Sequence, residues 1–308
     1  MKNKEIRPVR VGESPDFDAW FTAFFLKNSL DPFAYPTKVG SKEQIEFMVY
    51  PENGERYFPC SDKMFKAIMS RKYPRFLKNR YQQVLNRIMG MIDELIDSEY
   101  DNKFLKALIK IKYDDDIQTG LLIPSRLEKK LYKIFLSRTH IENPYSEDKK
   151  AVNKKIKDFI DSDTMEKALN QIDDSLQNIK DLSLFEIRGK IKAIEFQRRL
   201  TLITQNSLGA LKNSDIPSLN KIKKIFKTPI KGDGLLPLMA LVKDRKQKIL
   251  WLADESCEVV IDLTIAKFLA DLGHAVIFAV KESPFLKKVC IADTRTDPVL
   301  VKILENAH

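Results

Sequence analysis

Three cysteines and three histidines in 308 residues, at 60, 257, 290 and at 140, 274, 308, leave no two of either type at ligand spacing, which excludes a Cys/His zinc module. A disulfide scaffold is excluded with it. Glycine is scarce at 10 and proline stands at 14, against 44% hydrophobic and 31% charged residues, so the composition is globular rather than fibrous or disordered. No apolar run approaches the ~20 residues that a membrane span needs. The opening MKNKEIRPVRVGE lacks the apolar stretch of a signal peptide, so the expectation is a cytoplasmic protein with no membrane partner. No single sign of charge dominates either: 53 basic residues are interleaved with 43 acidic ones. The net +10 keeps a basic nucleic-acid-binding module open as one alternative, although lysine-rich helix surfaces give the same total.

What is present falls into four stretches. Residues 1–80 are mixed and loop-rich; Trp20, Phe21, Phe24 and Phe25 fit the buried stripe of a helix starting near Asp16, and IEFMVY and RYF flank a hairpin signal at Pro51, Glu52, Asn53, Gly54. Residues 81–205 are helical: Val84, Ile88, Met91, Ile92, Leu95 and Ile96 recur at a helix period, and further segments at 104–111, 125–136, 149–160, 163–179 and 184–204 continue it. Asn206, Gly209, Asn213, Pro217, Pro229, Gly232, Gly234 and Pro237 mark 206–245 as a linker, within which KIKKIFK predicts a short amphipathic helix carrying Ile222, Ile225 and Phe226. In 246–308, KILWLAD reads as a buried strand, EVVIDLTIAKFLADLG as a helix closed by Gly273, and HAVIFAVK as a second buried strand. The fold class expected is mixed α+β and α/β: a helical N-terminal domain followed by a truncated Rossmann-like parallel α/β unit.

Open parallel sheets bind ligands beyond the carboxyl ends of their strands. The first strand runs into Asp254, Glu255, Ser256, Cys257 and Glu258; the second runs into Lys281, Glu282, Ser283 and Pro284 and continues to Lys287, Lys288, Cys290 and Asp293. Carboxylates at such a strand end suit an oxygen-ligated divalent cation; equally, Asp254 and Glu258 suit the positive end of the following helix. Cys257 and Cys290 flank the same ends as small buried hydrophobes or as a thiol pair. His274 reads as structural.

LWLADESCEVVIDLTIAKFLADLGHAVIFAVKESPFLKK resembles a segment of the damage-control phosphatase family (acidic-residue-methyltransferase-like, domain of unknown function 89). That segment runs Asp-Asn-Ala-Gly-Glu, Phe-Asp, a strand, Val-Lys, a Pro and Asn-Asp. A second resemblance lies upstream, where Asn143, Pro144, Tyr145, Lys149 and Asn153 match the family's Asp-Pro-Tyr, Lys, Asn spacing. The resemblance implies a helical domain joined to a Rossmann-like domain with a metal-dependent phosphatase site for small phosphorylated metabolites. Carried over, it makes Asp254 and Glu255 the metal ligands, Asp254 and Glu258 the catalytic carboxylates, Glu258 and Asp262 the flanking acids, and Lys281 or Lys288 the contact to substrate phosphate. The metal would be Mg, Mn, Co or Ni.

The departures carry physical meaning. Glu255 stands where the family has Asn, Cys257 where it has Gly, and Lys287 and Lys288 where it has Asn-Asp. A carboxylate can replace an amide oxygen on a hard cation, whereas an ammonium cannot ligate a metal; Lys288 is expected to pair with Asp254 or Glu255 instead. The family's later Lys-Gly-x-Gly-Asn phosphate motif has no equivalent here, and the only Lys-Gly pair, Lys231-Gly232, reads as a turn. The reading that follows is a divergent, shortened family member with an impaired or lost metal site, whose exposed sheet edge pairs with itself or another protein. An active phosphatase with an altered ligand set is the alternative.

Overall fold

The computed structural model describes residues 12, 14–28, 60–70, 74–169, 183–204, 218–230, 234–242 and 246–305. The hairpin expected at 45–58 and the Lys231-Gly232 turn lie outside the described residues. The chain divides into two compact units, Met1–Glu142 and Asn143–His308.

In the first unit the described residues are helical. Helix α1 (Pro15–Lys27) starts on Ser14, whose hydroxyl accepts from the Phe17 amide at 3.4 Å, and it buries Phe24 and Phe25. Helix α2 (Asp62–Met69) is capped in the same way by Ser61. Helices α3 (Arg75–Leu95), α4 (Glu99–Thr119) and α5 (Pro124–Thr139) pack on one another. Leu77, Tyr81, Val84, Leu85, Ile88, Met91 and Ile92 recur three and four apart along α3, so one stripe enters the core. Gly120 (φ 61°) and His140 (φ 56°) end α4 and α5 in the left-handed conformation.

The second unit holds α6 (Ser146–Ile160), α7 (Asp163–Leu169), α8 (Leu184–Thr204), α9 (Leu219–Phe226), α10 (Leu235–Ala240), β1 (Lys248–Leu252), α11 (Ser256–Asp271), β2 (Ala275–Ala279), α12 (Ile291–Thr296) and α13 (Pro298–Glu305). The KIKKIFK helix is α9, with Ile222 buried and Lys221 and Lys224 exposed. Strands β1 and β2 pair in parallel, with Ile249 opposite Val276 and Trp251 opposite Phe278, and α11 connects them. The architecture is therefore mostly helical with a small two-stranded parallel sheet, a mixed α+β fold.

Ten of the sixteen residues of α11 are buried, on every side of the helix. A helix apolar all round needs cover beyond one sheet face. Here α6, α8 and α13 supply it, with Phe196 of α8 stacked on Phe268 of α11 at 5.6 Å. The helices at 146–204, which sequence periodicity runs on from those upstream, thus lie in the unit that carries the sheet. Gly273 (φ 94°) ends α11, and buried His274 bridges two segments: its Nδ1 accepts from the Gln247 amide at 3.1 Å, which leaves Nε2 to donate to the Leu241 carbonyl at 2.8 Å. No helix among the described residues is long and apolar enough to cross a membrane.

Candidate functional site

Beyond the carboxyl end of β1, Asp254 and Glu255 precede the first turn of α11. The loop after β2 is folded back against them. Leu286 takes a left-handed backbone (φ 51°), unusual for a side chain of its size, and this turns Lys287 and Lys288 toward the start of α11. Backbone bonds pin the loop there: the Val289 amide donates to the Asp254 carbonyl at 2.9 Å, and the Ser256 amide and hydroxyl both donate to the Lys287 carbonyl, at 3.1 and 2.8 Å.

The side chains then pair. The Lys288 ammonium bonds Asp254 and lies 3.3 Å from Glu255 Oε1. Burial pulls its pKa down, but the hydrogen bond and charge of Asp254 and the charge of Glu255 outweigh that and hold it above the ordinary lysine value. Lys287 lies 3.0 Å from Asp148 and 4.9 Å from the centre of the Tyr145 ring. Glu255 is the N-cap residue of α11 but makes no side-chain cap bond, so its carboxylate serves Lys288 instead.

A second cluster adjoins the first. Lys149 and Asn153 sit one turn apart on α6, with Asn143 just before it. Lys149 is 2% exposed and donates to Asp293 at 2.6 Å and to the Lys288 carbonyl at 3.3 Å. Asn143 and the Cys290 amide complete the shell of Asp293, each at 2.9 Å, and Asn153 donates to Asp297 at 2.8 Å. Burial alone would raise the Asp293 pKa; the Lys149 hydrogen bond, the Cys290 amide and the Lys149 charge hold it below the ordinary carboxylate range. The two stretches that carry the family resemblance therefore meet at Lys149 and Lys288, 139 positions apart in the chain. Sequence reading singled out Asn143, Lys149 and Asn153 by spacing alone, without a role. Asp297 it missed, although an Asp directly before a helix-starting Pro signals a cap, and Asp297 accepts from the Val299 amide at 2.8 Å.

Of the residues assigned from sequence, the structure joins Asp254, Glu255 and Lys288 in one ion cluster. Lys288, a candidate for substrate phosphate, is committed to the two carboxylates. Lys281 lies outside that cluster, its backbone bonded to Val289 and Ile291. Cys257 and Cys290 are buried and not joined in a disulfide, and the Cys290 thiol donates to Asp293 at 3.2 Å; burial, with the Asp293 hydrogen bond and charge, pushes the Cys290 thiol up, away from a reactive thiolate. A hollow of about 280 Å³ beside the cluster is lined by Lys149, Glu255, Ser256, Cys257 and Lys287. Among the described residues no group of three or more His, Cys, Asp or Glu side chains is arranged to hold a metal ion.

Glu258 and Asp262 follow Asp254 at helical spacing. Asp262 is buried, and its pKa rises to about 7: burial is the main cause, the Glu258 charge the next, and the Asp254 charge adds to it, while the Trp251 indole works the other way. The folded state thus keeps a proton that the unfolded chain releases near pH 4. Stability is unaffected below that value and falls as pH rises from about 4 to about 7, by up to about 1.4 kcal/mol per unit, then levels off. Denaturant midpoints of the parent and Asp262→Asn should converge toward pH 4 and separate toward pH 7, with the variant the more stable; a gap that stays constant with pH would count against a buried proton at Asp262.

Comparison with known proteins bears on the family and the fold. The family model described as the damage-control phosphatase ARMT1-like domain matches residues 68–303. A solved structure of a DUF89 family protein from Pyrococcus horikoshii superposes with a TM-score of 0.52 at 15% identity, over 74% of this chain and 70% of that one. No curated protein matches the chain at comparable significance.

Proposed function

Since the chain belongs to the damage-control phosphatase ARMT1-like domain family, we propose that it is a divergent member whose metal-dependent phosphatase site has been taken over by an internal ion pair. The observation that carries this is the Lys288 ammonium seated on Asp254 and Glu255. A divalent cation needs oxygen donors and no competing positive charge. Here it would have to expel a charged ammonium from both carboxylates, and the Lys288 position that the resemblance assigns to an Asp ligand offers no lone pair. The residues present do not fit the metal, and no reaction step is routed through one.

In this reading Asp254 and Glu255 act as counter-ions, and Glu258 acts on Asp262 rather than on a substrate. The parallel β1–α11–β2 unit, with Asp254 directly after β1, supports a Rossmann-like ancestry for the site. What remains is a non-catalytic scaffold that acts by binding.

Calorimetric titration with Mg, Mn, Co and Ni ions, together with assays on p-nitrophenyl phosphate and a panel of sugar phosphates, tests this. Flat titrations and no metal-dependent turnover are expected. Turnover that requires metal and disappears in Asp254→Ala would establish the active phosphatase instead.

A further inference from the structure

Several lysines on α4 and α6 pair with an acid three or four residues away in the chain. Lys103 pairs with Glu99, Lys110 with Asp114 and Lys112 with Asp115 on α4, and Lys150 with Glu147 and Lys157 with Asp161 on α6. Helix α5 breaks the pattern. Its sequence, PSRLEKKLYKIFLSRT, holds one acid, Glu128, which is buried and bonded to Arg87 at 2.6 Å. Arg126, Lys129, Lys130 and Lys133 recur at positions i, i+3, i+4 and i+7, so all four share one face.

That face is also organised. Asp116, 4% exposed, accepts from Lys130 at 2.9 and 2.7 Å and lies 3.3 Å from Lys27 at the end of α1. One buried carboxylate thereby fixes two of five clustered cations and leaves the other three uncompensated by it. Lys27, Arg126, Lys129, Lys130 and Lys133 border a shallow hollow of about 650 Å³ whose floor includes Leu122 and Ile134. Lys133 and Ser137 also line a second hollow of about 600 Å³, which runs on to His140 and Ile141 and includes one acid, Glu142. From Arg126 to His140 the trough follows α5 for roughly 21 Å at about 1.5 Å per residue. Like charges three and four apart destabilise a helix, so the arrangement costs the free protein stability that a bound polyanion would restore.

We infer that this trough is a docking surface for an acidic segment of a partner protein. Its length matches an extended stretch of about six residues at ~3.3 Å each. Its floor is aliphatic, suited to the apolar side chains of such a segment, and among the described residues no Phe, Tyr or Trp lines either hollow, the one ring there being the His140 imidazole at one end. Single-stranded nucleic acid gains its grip from successive bases stacked on a series of aromatic side chains, and a single imidazole at one end does not supply that series. The surface belongs to the first unit and stands independently of the reading given for the Lys288 site.

The test is fluorescence anisotropy of the full-length chain with a fluorescein-labelled twelve-residue peptide in which glutamate pairs alternate with leucine, run beside a twenty-nucleotide oligo-dT. Binding of the peptide with a Kd of tens of micromolar or tighter is expected in 150 mM salt, weakened at least tenfold in Lys129→Glu/Lys133→Glu. The variant should melt no lower than the parent, since it turns two of the four like-charge pairs, Arg126 with position 129 and Lys130 with position 133, into opposite ones and adds no further like-charge pair to the four. The inference is overturned by absent peptide binding in the parent at millimolar peptide, by equal affinity in the charge-reversed variant, or by oligo-dT binding more tightly than the peptide.

Discussion

Replacing Lys288 by aspartate should create a divalent-cation site where, on the proposed reading, the parent has none. The substitution removes the ammonium from Asp254 and Glu255 and adds a third carboxylate at the position where the family resemblance places a ligand. Three hard oxygen donors with no cation among them repel one another, so metal-free Lys288→Asp should melt below the parent. Added Mn or Mg ions should then reverse the loss. With a micromolar site, metal at a hundredfold excess over Kd stabilises the folded state by about 2.7 kcal/mol. Thermal melts with and without metal read this directly, without recourse to turnover. Lys288→Met is the control: it removes the positive charge but supplies no ligand, so its melting temperature should not respond to metal. A parent protein that already binds Mn at micromolar concentration would remove the basis for the internal-ammonium reading, as would a Lys288→Asp variant that shows no metal response.

Lys149→Met should destabilise the second unit strongly. It leaves Asp293 buried, 4% exposed, with its ionic partner gone, and strips a donor from the Lys288 carbonyl. Removing one member of a buried pair costs about 3–5 kcal/mol, because the remaining charge stays desolvated. At about 2–4 °C per kcal/mol for a unit of this size, the melting temperature should drop by roughly 6–20 °C. The pH dependence identifies the cause. Asp293 has a depressed folded pKa, so the stabilisation from its pair is fully present above about pH 4 and is lost as pH falls through the folded value. The deficit of Lys149→Met should therefore be largest near pH 7 and shrink in acid, where protonation relieves the stranded carboxylate. Adding Asp293→Asn should recover most of the loss at neutral pH. A melting temperature within a degree of the parent, or a deficit that does not change with pH, would show that Lys149 contributes nothing through its charge.

Sequence reading captured the parts of the molecule that depend on local pattern. Unbroken apolar runs and Gly273 give β1, α11 and β2, and the three- and four-residue spacing from Leu77 to Ile92 gives α3. It also anticipated the Lys288 pairing, because an ammonium beside two carboxylates has one electrostatically sensible arrangement. What it could not reach depends on long-range packing. Nothing local in 146–204 says that α6 and α8 cover α11 rather than the helices before them; the requirement comes from α11, buried on every side. Nor does the spacing of Asn143, Lys149 and Asn153 reveal that their partners are Asp293 and Asp297, about 140 positions later. The left-handed turn at Leu286 carries no glycine or asparagine to announce it.

The cover that α6 and α8 give to α11 also has a consequence for synthesis on the ribosome. The first unit closes at Glu142, so its contacts are available as soon as that stretch has emerged. The second unit must wait, because its earliest helices are made against a partner helix whose residues appear a hundred positions later. At roughly 5–20 residues per second, α6 remains without α11 for about 5–20 s. During that interval Ile156 and Phe159, fully buried in the finished fold, lack the α11 side of their native surroundings. Nascent chains halted between residues 160 and 250 are therefore the species on which chaperones should act.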